Sequence, residues 1–138
     1  MEGTFQAAVT QEAAAGRVVT AACSDRSGQI TYLSYAWIAD TATLYEARAV
    51  VTPGRGAVTT AASSLATQGF ILTASGLADA SGNIVLVGTR VQGDALARPF
   101  IAAQSAVDTQ ALEQRGYARV AVIVDPTRTN PYTHLGER

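Results

Sequence analysis

The sequence predicts a single α+β domain with an internally repeated β-α-β-β unit, in which an antiparallel or mixed sheet carries its helices on one face. Three observations support this prediction. GRVVTAA at 16–22 is echoed by GFILTAS at 69–75, and DRSGQITYLSYAW at 25–37 by DASGNIVLVGTRV at 79–91, with Gly16 matching Gly69, Thr20 Thr73, Asp25 Asp79, Gly28 Gly82 and Ile30 Ile84. Gly16, Gly69 and Gly116 each close a segment that suits a helix and open a β-rich run, RVVTAACS, FILTASG or YARVAVIV; glycine is the residue best able to turn left-handed just past a helix. Helical and extended segments alternate as they do in split βαβ units of α+β domains.

The clearest helix is AVTTAASSLATQ at 57–68, where Ala57, Val58, Ala61, Ala62, Leu65 and Ala66 share one face at three-to-four spacing. Its other face, Thr59, Thr60, Ser63, Ser64, Thr67 and Gln68, carries no charge. Serine and threonine are mediocre helix formers and make no charge pairs, so such a face suits a partner as well as solvent. A second helix is predicted over 105–116, with Ser105 and Asp108 as an acidic capping box, Gly116 as its stop, and Val107, Ala111 and Leu112 inward. A short first helix is expected at 10–15.

Strands are expected before each helix, at 4–9, 43–51 and 98–103, with Phe5, Tyr45 and Phe100 at comparable places. After the glycine strands, DRSG and DASG make hairpin turns: Asp bonds its own turn backbone and Gly accepts positive φ. Asp25 and Asp79 are therefore turn residues rather than catalytic carboxylates, and the spacing of oxygen ligands fails a calcium loop. Tyr35 and Trp37 share one strand face and Tyr32 the other. One domain spans 1–125, with repeat copies at about 4–38 and 43–92 and a partial third at 98–125. Residues 126–138, which hold Pro126 and Pro131, read as an extended tail.

A chain of 138 residues is long enough for one core. Its charged fraction is 15%, against roughly 25% in ordinary domains, so part of the surface is uncharged and suited to a second subunit. A net charge of −1 with dispersed arginines argues against nucleic acid. The N-terminal stretch lacks a basic region and no apolar run is long enough to span a membrane, so a cytoplasmic address is expected. Cys23 is expected in a strand interior as a small hydrophobe. With one cysteine and one histidine, His134, neither a metal site nor a cofactor is expected.

Two stretches are candidate ligand sites. In TPGRGAVTT, Gly54, Arg55 and Gly56 precede the clearest helix, where free N–H groups and a guanidinium attract an anion. In GTRVQGDALARP, Arg90, Asp94 and Arg98 have the chemistry to grip a carboxylate or phosphate, with Asp94 as a candidate general base. The same residues also suit a surface ion pair across a loop. Three functions follow: a cytoplasmic homo-oligomeric binding or interaction module, the first choice; a metal-independent enzyme on a small anionic metabolite; or a structural component of a larger assembly.

Overall fold

The computed structural model describes residues 2–103, 106–124 and 132–138. In chain order these form α1 (Glu2–Ala14), β1 (Arg17–Ser24), β2 (Ile30–Ala36), β3 (Tyr45–Thr52), a 3-10 turn (Arg55–Ala57), α2 (Val58–Thr67), β4 (Ile71–Leu77), β5 (Ile84–Val91), β6 (Phe100–Ala103), α3 (Ala106–Gln114), β7 (Ala118–Val124) and β8 (Tyr132–Glu137). The protein is mixed α+β. Its sheets are antiparallel and ordered β1-β2, β3-β5-β4 and β6-β8-β7. Among the described residues, no helix is long and apolar enough to cross a membrane.

The run Ile84-Val85-Leu86-Val87 in β5 is apolar without alternation, so both of its faces need cover. Ile84 and Leu86 pack with Val58 and Leu65 of α2, with Phe70 and Leu72, and with Ala121, Ile123 and Leu135 of the third sheet. Val85 and Val87 pack with Phe5 and Val9 of α1, Val19 and Ala22 of β1, and Ala49, Ala74 and Ala78. Helices thus lie on both faces of the middle sheet, a correction to the single helical face expected.

Two further expectations are corrected. Residues 4–9 are helix, not strand, because Phe5, Val9 and Ala13, all buried, recur every fourth residue and form a stripe along α1. Residues 132–137 of the expected tail are β8, the middle strand of the third sheet, held on both sides by β6 and β7 around fully buried Leu135. The other helices run close to expectation, with Val58, Ala62, Leu65 and Ala66 of α2 and Leu112 of α3 buried. Ala111 is exposed, one position off the stripe that Leu112 sets. Ser105 and the side chains of Val107 and Asp108 lie outside the described residues.

Gly16, Gly69 and Gly116 all have positive φ, at 78°, 87° and 82°. Beyond each of them the strand slips register at the same offset, between Val19 and Ala21, Leu72 and Ala74, and Arg119 and Ala121. Opposite the first residue of each bulge stand Ser34, Gly88 and Gly136. A Cβ on Gly88 would lie 3.4 Å from Leu65, and one on Gly136 only 2.8 Å from Leu112. At the first such place a bond replaces the apolar contact: Ser34 Oγ donates to Glu12 Oε2 at 2.6 Å. Each of Glu12, Leu65 and Leu112 stands four residues before its glycine.

The β1–β2 ribbon lies against β4 so closely that a side-chain carbon on Gly76 would overlap the Ala22 carbonyl. Backbone cannot move aside as a flexible side chain can, so Gly76→Ala is expected to cost about 1–3 kcal/mol, the range of core overpacking, read as a lower urea midpoint at unchanged slope.

Candidate functional site

The expected cluster Arg90, Asp94 and Arg98 does come together, around the C-terminal end of α2. Arg90 Nε donates to Glu46 Oε2 at 2.6 Å, its Nη1 donates to the Gln68 carbonyl at 2.5 Å, and its guanidinium lies 4.5 Å from the Phe70 ring centroid. Arg98 Nη2 donates to Asp94 Oδ2 at 2.7 Å, and its backbone N–H to the Ala66 carbonyl at 2.8 Å. Asp94 Oδ1 also accepts the Leu96 N–H. The loop comes so near that a Cβ on Gly69 would meet three of its backbone atoms at 3.0 Å. Unpaired carbonyls and the negative end of the helix dipole gather at this terminus, so two arginines there stabilise the fold itself.

A second arrangement of the same kind favours that structural reading. Arg138 Nη1 donates to the Arg115 carbonyl at 3.3 Å and its guanidinium lies 5.1 Å from the Tyr117 ring. Arg115 precedes Gly116 and Tyr117 follows it, as Gln68 and Phe70 flank Gly69.

Gly54, Arg55 and Gly56 lie at the opposite end of α2, about 15 Å away along a helix of that length. The Gly54 N–H donates to Asn83 Oδ1 at 3.1 Å and its carbonyl accepts from Thr52 Oγ1, so this loop is tied to the β4–β5 turn. Arg55 lines a cleft of about 270 Å³ with Ser75, Gly76, Leu77, Ile84, Val122 and Ile123, where the middle and third sheets meet. The two expected ligand stretches therefore form no common site.

Asp25 and Asp79 are turn residues, as expected. Asp25 Oδ1 accepts the N–H groups of Ser27 and Gln29 and the Ser27 hydroxyl; Asp79 accepts the N–H groups of Ser81 and Asn83 and the Asn83 amide. The Ser27 hydroxyl bond is the main cause holding the Asp25 carboxyl below its ordinary range, and the Asn83 amide does the same for Asp79. His134 sits in β8, half-buried, between Ala103 and Val122 in register.

Sequence reasoning missed Glu137, because it fell in the supposed tail. Its side chain is buried, Oε2 accepts the Leu72 N–H at 3.0 Å, and Oε1 has no hydrogen-bond partner. Burial pushes its pKa up to about 7, against the pull of the Leu72 N–H and nearby Arg98. No pattern in YTHLGER marks the residue; only the fold brings it beside β4.

The outer face of the β1–β2 ribbon bears the largest exposed apolar groups. On the inner face Tyr32 packs on Phe5, with ring centroids 5.9 Å apart, and Arg17 pairs with Glu12 at 2.8 Å. Leu33 is 58% exposed, Tyr35 61%, Trp37 66% and Ile38 98%. Tyr35 and Trp37 line one cleft with Val18, Thr20 and Ala36, and Leu33 lines a neighbouring one with Ala21, Cys23 and Thr31. Cys23 is exposed there rather than in an interior, because among the described residues no other element covers this face. Compared with protein-family models, curated proteins and solved structures, the chain gives no match.

Two outcomes are expected. The folded state holds the Glu137 proton more tightly than the unfolded chain, so its contribution is complete below about 4.5 and is lost as pH rises through about 7. Denaturant midpoints followed across that window should fall in the wild type and fall less in Glu137→Gln. Arg90→Ala, which strips partners from Glu46 and the Gln68 carbonyl, is expected to lose about 1–3 kcal/mol of stability, seen as a lower melting temperature without any ligand present.

Proposed function

We propose that this chain is a cytoplasmic homo-oligomeric interaction module, built from three casts of one helix-and-ribbon unit of which the first lacks a leading strand. The repeat reading draws on the glycines at a shared place, the bulges at a shared offset and the matched helix-to-strand contacts at Ser34, Gly88 and Gly136. Two of the casts begin with a strand, β3 or β6; the first begins with α1.

The observation that carries the functional reading is the outer ribbon face. Leu33, Tyr35 and Trp37, with Ile38 in the bend just past β2, together expose on the order of 500 Å² of mostly apolar side chain, judged from typical side-chain areas, and residues 29–39 contain no charged side chain. A patch of that size and character on a soluble chain usually marks an interaction surface. The uncharged outer face of α2, where Thr59, Thr60, Ser64 and Thr67 are exposed, is polar and offers far less apolar area.

A metabolite-binding enzyme draws less support. Arg90, Asp94 and Arg98 are engaged with Glu46, the α2 terminus and one another, so these side chains are occupied in holding the fold.

Sedimentation velocity over a range of concentrations tests the proposal. The wild-type chain is expected to run well above its 14.3 kDa monomer mass. Leu33→Asp and Trp37→Asp, both on exposed positions, should shift it toward monomer while leaving the melting temperature of the monomer unchanged. A wild type that stays monomeric at high concentration defeats the reading.

A further inference from the structure

We infer that β2 receives on its open edge the β2 strand of a second copy of this chain, antiparallel about a twofold axis at one of the outer-face positions 31, 33 or 35, joining two ribbons into one four-stranded sheet. This assignment rests on the interaction reading above and adds the partner and the pairing.

The middle strand β5 is flanked by β3 and β4, and β8 by β6 and β7, always antiparallel; among the described residues β2 pairs with β1 alone. The place that β3 and β6 fill in the other two sheets stands open beside β2. The ladder of this hairpin starts from the Asp25 N–H bond to the Gln29 carbonyl. Alternation along an antiparallel pair then turns the backbone groups of Thr31, Leu33 and Tyr35 toward β1, and those of Tyr32, Ser34 and Ala36 toward the open side.

Soluble chains guard such edges with charge, proline or a covering group. The outer edge of β3 is guarded: the Gln6 side-chain amide donates to the Ala47 carbonyl at 3.2 Å and accepts the Ala49 N–H at 2.7 Å, standing in for a strand. The edge of β4 has the Glu137 carboxylate on Leu72. From residue 29 to residue 39 β2 and its flanks hold neither a charge nor a proline.

A second copy fits this surface for two reasons. A twofold axis sets each residue near its own equivalent, which costs repulsion if the residue is charged and nothing of that kind here. Across the seam Leu33 and Tyr35 of one copy become same-face neighbours of the other copy's apolar side chains, cross-strand contacts that add to the backbone ladder.

The test uses the full chain. In a Cys23→Ser background, single cysteines are placed by Thr31→Cys, Leu33→Cys and Tyr35→Cys, with Ser64→Cys on the exposed α2 face as control. Directly opposed residues of an antiparallel pair lie about 4.5–5.5 Å apart between Cα atoms, within disulfide reach. Mild oxidation is expected to link two chains at one of the three β2 positions and not at residue 64. Ala36→Pro deletes an outward N–H without touching the ladder to β1, and is expected to weaken dimerisation about tenfold or more at an unchanged circular dichroism spectrum. If that variant misfolds, the cysteine scan decides alone. A dimer that links only at residue 64, or at none of the three β2 positions, overturns the strand pairing and leaves the oligomer reading in place. A chain that is monomeric at every concentration overturns both.

Discussion

The Ile84–Val87 run of β5 has no face that tolerates water, and the rest of the molecule is arranged around that fact. Its alternate side chains look into two different cores, one closed by α1 and the β1–β2 ribbon, the other by α2 and the third sheet. An antiparallel strand ordinarily keeps one wet side, and four successive apolar residues remove that option. Two helices and two further sheets are what this chain uses to meet the requirement.

Close approach is made possible by small residues at the points of contact. Gly88 and Gly136 let Leu65 and Leu112 press on the middle strands of their sheets, and Gly76 admits the Ala22 carbonyl. The left-handed glycines that end the helices release the chain straight into the next strand. Cations then gather where helix carbonyls are left over, Arg90 and Arg98 at α2 and Arg138 at α3. Such a group of arginines resembles an anion site when only its spacing along the chain is known.

Local chemistry was legible in the sequence. Helix-ending glycines, Asp-led turns, the inward face of α2 and the opposition of Tyr32 to Tyr35 and Trp37 all follow from spacing and conformational preference. Elements whose identity depends on distant neighbours were not legible. The stripe of Phe5, Val9 and Ala13 is diluted by alanine all round α1, and residues 4–9 alternate well enough to pass for a strand. Among the described side chains of β8 only Leu135 is a large apolar residue committed to the core, and a proline precedes that strand in sequence, so its pairing with β6 and β7 left no trace in pattern. Glu137 illustrates the same limit: nothing within its neighbours in sequence says that β4 will supply an N–H. The grouping of Arg90, Asp94 and Arg98 was visible, but their partners Glu46, Gln68 and Phe70 were not.

The bulge in β4 has an effect beyond its own geometry. Residues two apart on a regular strand look the same way, yet Leu72 belongs to the α2 core and Ala74 to the α1 core, because the extra residue between them turns the strand over. β4 is thereby a party wall, with one set of backbone bonds holding two hydrophobic rooms. Loss of that wall would open both rooms at once, so the two cores are coupled through a single strand.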